Sequence, residues 1–133
     1  MTTFFEYTLK TEREGAYNIT DKVKDAIAES GAESGIALIY CPHTTAGITI
    51  TENTDSRVLS DMLFGLDKSL PDRPEYEHIE GNSFAHIKSS ILGNQISLIV
   101  DGGWAVLGPF QAVFFFEFDG PRERHFLVKV IEG

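Results

Sequence analysis

The sequence contains little cysteine, little basic charge and no long apolar run, and each shortage excludes a class of protein. One cysteine among 133 residues, Cys41, rules out an internal disulfide framework. The 11 Lys and Arg residues stand against 20 Asp and Glu, a net charge of −9 with histidine neutral. Because a nucleic acid backbone is bound by basic surface, we expect no nucleic acid partner. No window reaches the roughly 18 to 20 apolar residues of a membrane span, so we expect no membrane partner.

The start of the chain and its size predict a single cytoplasmic domain. No basic segment followed by an apolar stretch opens the sequence, which argues against a signal peptide. Hydrophobic residues make up 42 % of the 133 residues, enough for one core. We therefore expect residues 1–133 to form one domain in the cytoplasm.

Hydrophobic periodicity predicts an α+β fold. Strands are predicted at 4–10, 35–42, 45–51, 95–100, 111–118 and 124–131. Three helices with apolar stripes are predicted to begin at Thr20, Thr54 and Ser83. The strands 35–42 and 45–51 are expected to pair as a hairpin around a short turn. Because the helices lie between runs of strands, we expect a largely antiparallel sheet or sandwich.

Phenylalanine lies on both faces of the predicted strand 111–118. A strand of this kind is buried on both sides, and a small domain has little material with which to cover two faces. The pattern therefore predicts that a second subunit covers one face, which makes the protein a homo-oligomer.

Three of the four histidines lie outside the apolar stripes. His43 is in the turn after a buried strand, His78 is in the aperiodic segment 68–82, and His86 is in the third helix. Each alone is more often a surface or capping histidine. Together they could bind a divalent metal such as zinc, or act as general acid and base, although their spacing matches no standard metal motif. His125, among apolar strand residues, is predicted to be a packed or edge residue.

Other residues near these histidines carry further candidate chemistry. Cys41 and His43 are two residues apart, so they could form a nucleophilic pair, but a buried inert thiol is the more common outcome. Glu52 and Asp55 could orient an imidazole or bind magnesium, or could be helix caps only.

A phosphate group could bind at two places. The residues Gly81, Asn82 and Ser83 open a helix, where free N–H groups favour an anion. Arg122 and Arg124 follow a turn, and arginine binds phosphate in a bidentate fork. Neither signal is specific.

Taken together, the motifs resemble those of the YjbQ family, also called UPF0047 or the secondary thiamine-phosphate synthase family. The resemblance covers essentially the whole chain. The motifs that carry it are Cys41-Pro42-His43-Thr44-Thr45-Ala46-Gly47-Ile48-Thr49-Ile50 with Glu52-Asn53 and Asp55, His78-Ile79-Glu80-Gly81-Asn82-Ser83, Ala85-His86 with Ser89-Ser90 and Gly93, Gly103-Trp104 with Leu107-Gly108 and Gln111, and Glu117-Phe118-Asp119-Gly120-Pro121-Arg122. One departure is Phe110, where the family more often has Trp directly before the Gln.

The resemblance implies an α+β sandwich that assembles as a homotrimer, with histidines and acidic residues together in a pocket near a subunit interface. It implies a weak thiamine-phosphate synthase activity on a phosphorylated or pyrophosphorylated small molecule, assisted by zinc or magnesium. The implied catalytic residues are His43, His86, Glu52 and Asp55, and the implied metal ligands are His43, His78 and His86. The implied phosphate-binding residues are Thr44, Thr45, Gly81, Asn82, Ser83, Arg122 and Arg124. The alternative is a trimeric metal- or ligand-binding module without turnover.

Overall fold

A computed structural model describes residues 4–133, so residues 1–3 of the expected domain lie outside the described part. The fold is α+β, with three helices as predicted. In chain order the elements are β1 (Phe5–Lys10), β2 (Gly15–Asn18), α1 (Thr20–Ser30), β3 (Ser34–Tyr40), β4 (Ala46–Glu52), α2 (Ser56–Ser69), α3 (Ser83–Leu92), β5 (Gln95–Asp101), β6 (Trp104–Ala105), β7 (Gln111–Glu117) and β8 (Glu123–Glu132).

The strands form two antiparallel sheets that pack as a sandwich. The first sheet has the order β1-β8-β3-β5-β6, and the second has the order β2-β7-β4. Every pairing in both sheets is antiparallel. The predicted antiparallel sandwich is confirmed. Between the sheets lies the main core, in which Ile39, Phe115 and Val128 are fully buried and α1 contributes Val23 and Ile27.

The phenylalanines of β7 are covered on both faces by the chain itself. Phe115 points into the main core, while Phe114, Phe116 and Phe118 form a second cluster with Ala85 and the apolar faces of α2 and α3. The inference that these phenylalanines need a second subunit was therefore wrong. The helices α2 and α3 cover this face, and the sequence of β7 alone could not predict that contact.

The predicted hairpin of β3 and β4 is also wrong. β3 pairs with β5 and β8 in the first sheet, and β4 pairs with β7 in the second. The connection through Pro42, His43 and Thr44 therefore crosses from one sheet to the other. Alternation reports which face of a strand is buried, but it does not name the strand's partner.

The helix ends agree with the sequence to within two residues. α1 ends at Gly31, which adopts a left-handed conformation with φ of 73°. α2 is capped by Asp55, whose side chain accepts a hydrogen bond from the Arg57 backbone N–H, rather than by Thr54. Among residues 4–133 no helix is both long enough and apolar enough to cross a membrane.

Candidate functional site

The crossing between the two sheets carries His43. β3 ends at Tyr40, and the Cys41 backbone N–H then donates to the Asn94 carbonyl oxygen at 2.7 Å. Pro42 lacks a backbone N–H and limits further pairing. The next residues, His43 and Thr44, are therefore held close to the end of α3, which is where Asn94 follows.

A cavity of about 460 Å³ opens beside this crossing. It is lined by His43, Thr44, His86, Ser89, Ser90, Gly93 and Asn94. α3 is fastened to β4 here, because the Ser89 hydroxyl donates to the Ala46 carbonyl at 2.6 Å and the Ile48 N–H donates to the Gly93 carbonyl at 3.0 Å. A Cβ on Gly47 would lie 2.6 Å from the Gly93 carbonyl oxygen, so only glycine allows this close approach.

His43 is half-buried and its ring is held by the backbone of β8. The His125 N–H donates to the His43 Nε2 atom at 2.9 Å, and the His125 carbonyl oxygen lies 3.1 Å from the same nitrogen. Burial and the nearby Arg124 guanidinium lower the pKa of His43 below its usual value. The ring is therefore a neutral imidazole at neutral pH.

His86 lines the same cavity from α3, and His78 lies against it. The centroids of the two rings are 5.4 Å apart, in an edge-to-face arrangement. His78 itself is exposed, in the aperiodic stretch between α2 and α3. The structure thus brings His43 and His86 to one cavity, and it places His78 against His86 but not among the residues that line the cavity.

The three histidines do not form a metal-binding group. Within residues 4–133, no set of three or more His, Cys, Asp and Glu side chains is arranged to hold a metal ion. The Nε2 lone pair of His43 is already used by a peptide N–H. The predicted ligand set therefore does not fit a metal within one chain.

The two candidate carboxylates lie at the far end of β4 from the histidines. β4 runs from Ala46, beside the cavity, to Glu52, which pairs with Gln111. Six residue steps of about 3.3 Å separate these ends by about 20 Å. Asp55 follows as the cap of α2, and its hydrogen bonds with Arg57 lower its pKa. One chain therefore does not bring Glu52 or Asp55 to His43 and His86.

A second polar cavity of about 350 Å³ lies near the Glu52 end. Its lining includes Lys24, Asn53, Trp104 and Gln111. Trp104, which lines it, is 71 % exposed, and Phe110, which precedes the lining residue Gln111, is 61 % exposed. Neither composition nor spacing pointed to this cavity.

Arg124 and Thr45, both predicted to bind phosphate, belong instead to a buried ion pair. Arg124 donates to Glu117 through Nε at 2.7 Å and through Nη2 at 2.5 Å, and Nη2 also donates to the Thr45 hydroxyl at 2.8 Å. Burial alone would raise the pKa of Glu117, but hydrogen bonds from Arg124, Thr11 and the Asp119 N–H outweigh it and lower the pKa overall. With Arg124 only 4 % exposed, this geometry makes it a structural residue and not a phosphate ligand.

Arg122 and the start of α3 form a separate polar cluster. The Asn82 amide nitrogen donates to an Asp119 carboxylate oxygen at 2.8 Å, and Arg122 Nη2 donates to the same oxygen at 3.1 Å. The Asn82 Oδ1 atom is buried and has no partner among the described residues. Ser83 begins α3, and Gly81 takes a left-handed conformation with φ of 74° before it. An unpaired oxygen acceptor needs a donor, such as a hydroxyl group, rather than another anionic oxygen.

Cys41 is not placed for nucleophilic chemistry. It is 1 % exposed, and burial raises the pKa of its thiol to about 11. Because the thiolate is the nucleophile, this environment makes Cys41 inert at neutral pH. Of the two alternatives for Cys41, a nucleophile paired with His43 or a buried inert thiol, the structure supports the inert thiol.

With the fold and cavity in view, comparison with known proteins identifies the family. The family model described as UPF0047 protein YjbQ-like matches residues 5–133. The chain belongs to the YjbQ (UPF0047) family. The recognition made from the sequence motifs is confirmed.

Curated YjbQ relatives match over nearly their whole length. A UPF0047 protein of Methanocaldococcus jannaschii is 49 % identical over 128 residues, which cover 96 % of this chain and 93 % of that protein. The YugU protein of Bacillus subtilis is 48 % identical, with 91 % and 92 % covered.

Solved YjbQ structures share the fold. An uncharacterized conserved protein of Clostridium acetobutylicum superposes with a TM-score of 0.93 at 49 % identity, covering 96 % of this chain and 99 % of that chain. A protein of unknown function from Sulfolobus solfataricus gives a TM-score of 0.93 at 30 % identity, with 98 % and 96 % covered. These likenesses establish the family and the fold.

Four cavity-lining residues were not among the predicted site residues: Ser89, Ser90, Gly93 and Asn94. A signal for two of them exists in the sequence. Ser89 and Ser90 lie three and four residues after His86, so a helix through His86 presents all three on neighbouring positions. Asn94 lies beyond the helix end, and only the hydrogen bond to Cys41 brings it to the cavity.

Proposed function

We propose that this protein is a small cytoplasmic enzyme that acts on a phosphorylated or pyrophosphorylated metabolite, with weak thiamine-phosphate synthase activity. The observation that carries the proposal is the cavity of about 460 Å³ between the sheet crossing and α3, lined by His43, Thr44 and His86. A volume of this size suits a small metabolite. The family resemblance supplies the reaction type.

The proposed reaction transfers a hydroxymethylpyrimidine group. A thiazole phosphate nitrogen attacks the methylene carbon of the pyrimidine pyrophosphate, the new C–N bond forms, and the C–O bond breaks with its electron pair leaving on pyrophosphate. His43 and His86 would donate hydrogen bonds to pyrophosphate oxygens, and so stabilise the charge that grows during bond cleavage. Thr44 would help to hold the same group in place.

A pyrophosphate-release assay with both substrates tests this proposal. His43→Gln and His86→Gln should each lower the rate by about 100-fold. His125→Gln is the matched control, because its backbone N–H, not its ring, holds His43. The proposal fails if the unaltered protein releases no more pyrophosphate than a blank, or if both variants keep the full rate.

The second candidate is a ligand-binding module without turnover. The separation of Glu52 and Asp55 from His43 by the length of β4 favours it, because one chain presents no carboxylate among the residues that line the histidine cavity. In this case calorimetry would detect binding of a phosphorylated metabolite, and prolonged incubation would return that metabolite unchanged.

We also propose that the protein is a homotrimer. Ile36 is the direct cross-strand neighbour of both Ile99 and Ile131 on the outer face of the first sheet, and all three are more than half exposed. A contiguous apolar patch of this kind is typical of an interface. A light-scattering mass of one chain at micromolar concentration would refute the trimer, and Ile99→Lys should reduce a trimer to single chains.

A closed ring would also relate the two ends of β4. The interfaces of a three-fold ring are heterologous, so each joins two different surfaces of the chain. The Glu52 end of one copy can therefore meet the His43 end of another. Glu52→Gln would then lower activity in the trimer and leave the monomeric Ile99→Lys background unaffected.

A further inference from the structure

The His43 ring accepts a backbone hydrogen bond from β8 that a neighbouring strand would otherwise accept. β8 pairs with β1 through His125 and Thr8, but its pairing with β3 begins only at Leu127, opposite Tyr40. On the β3 side, the His125 N–H has no strand to bond. The His43 Nε2 atom fills this position at 2.9 Å.

The direction of that hydrogen bond settles where the His43 proton lies. A peptide N–H can only donate, so Nε2 must accept and must be unprotonated. A proton on Nε2, directed at the His125 carbonyl oxygen 3.1 Å away, would press against the amide hydrogen. In a neutral imidazole the remaining proton is then on Nδ1.

We infer that His43 is locked with its proton on Nδ1, and that it acts as a neutral hydrogen-bond donor to an oxyanion rather than as a metal ligand. A metal bound at Nε2 would leave the His125 N–H without a partner. A metal bound at Nδ1 would displace the only ring proton. Neither nitrogen has a free lone pair to offer.

The remaining lining agrees with an oxyanion. None of the seven lining residues is Asp, Glu, Lys or Arg, so no carboxylate faces a cation there. Ser89 and Ser90 direct their hydroxyl protons to the carbonyl oxygens of Ala46 and His86. Thr44 and Asn94 carry a hydroxyl and an amide that can donate beside His43. The ligand class rests on the proposed function, whereas the His43 tautomer does not.

Long-range ¹H–¹⁵N spectra of the ¹⁵N-histidine-labelled protein test the inference. We expect His43 to show a protonated Nδ1 and an unprotonated Nε2 at neutral pH, with inorganic phosphate shifting Nδ1. Zinc, added without phosphate, should leave both His43 nitrogens unshifted. A proton on Nε2, a zinc-induced shift at His43, or the absence of any phosphate effect on Nδ1 would overturn it.

Two amide variants separate the two ring nitrogens. His43→Asn can place an amide nitrogen near the Nδ1 position, whereas His43→Gln can place its amide oxygen near Nε2 and keep the acceptor for His125. We expect phosphate binding to survive in His43→Asn and to fall about tenfold or more in His43→Gln. The reverse order would overturn the inference, and circular dichroism checks that both variants fold. Failure of the pyrophosphate assay alone, with these results intact, would refute the proposed reaction and not the tautomer.

Discussion

Replacing Arg124 by Met is the sharpest test of the buried ion pair. The substitution keeps much of the side-chain volume and removes the charge. It leaves the Glu117 carboxylate, which is 0 % exposed, with only Thr11 and the Asp119 N–H as partners. If Arg124 instead bound phosphate, its loss would weaken ligand binding and leave stability nearly unchanged.

The magnitude follows from the burial of both partners. Removing one partner of a buried, hydrogen-bonded pair costs about 3–5 kcal/mol, because the other charge stays buried and uncompensated. A domain of this size has a free energy of unfolding of about 5–15 kcal/mol, so the loss is a large fraction of it. The melting temperature should fall by about 10–20 °C.

The cost should also depend on pH. In the unaltered protein the pKa of Glu117 is lowered, so its contribution is present above the ordinary carboxyl pKa and is lost as pH falls through the lowered value. In Arg124→Met, burial without a counter-charge raises the pKa of Glu117, and protonation removes the cost of the buried charge. The stability deficit should therefore be largest at pH 7 and narrow toward pH 4.

Urea unfolding followed by circular dichroism at pH 7 and pH 5 measures both effects. The double variant Arg124→Met/Glu117→Leu is the control, because it removes both charges and should recover part of the loss. A deficit below about 1 kcal/mol, or one that does not change with pH, would contradict the reasoning. A deficit below about 1 kcal/mol is the value expected for a solvent-exposed ion pair.

Three further predictions follow from single positions. Gly47→Ala should lower the free energy of unfolding by about 1–3 kcal/mol and weaken phosphate binding, because its Cβ would lie 2.6 Å from the Gly93 carbonyl oxygen. Gly65→Ala is the control: its Cβ would have nothing within 4 Å, so in thermal melts it should be neutral or stabilising. Cys41, with a thiol pKa of about 11, should resist iodoacetamide at pH 8 in the folded protein and react after unfolding, as mass spectrometry would show. Phe115→Ala should lower the free energy of unfolding by about 3–5 kcal/mol, as measured by urea unfolding. A loss below about 1 kcal/mol for this variant, or rapid alkylation of Cys41 in the folded protein, would contradict the described core.

The sequence predicted the elements better than their partners. β1, α1 and α3 follow from alternation and helical stripes, because those patterns are local. The two shortest strands, β2 and β6, carry too few residues for a period. The pairing of β4 with β7 rather than β3 depends on contacts far apart in the chain, and no local pattern encodes it.

The site was predicted in part for the same reason. His43 was singled out because it follows a buried strand, and the cavity includes it. Arg124 was misjudged because a strand arginine has the same local pattern whether it faces solvent or a buried carboxylate. The pairing register decides the matter, since Arg124 lies opposite Leu9, an inward-facing residue of β1.

The length of β4 keeps Glu52 and Asp55 away from the histidine cavity of the same chain. Its Ala46 end is fixed beside α3 by Ser89, and its Glu52 end is fixed by pairing with Gln111, so neither end can move toward the other without breaking the second sheet. A reaction that needs Glu52 or Asp55 beside His43 therefore requires another copy of the chain. A reaction that needs only neutral donors on an oxyanion does not. The effect of Glu52→Gln on the proposed trimer thus separates an enzyme assembled from several chains from a cavity that is complete in each one.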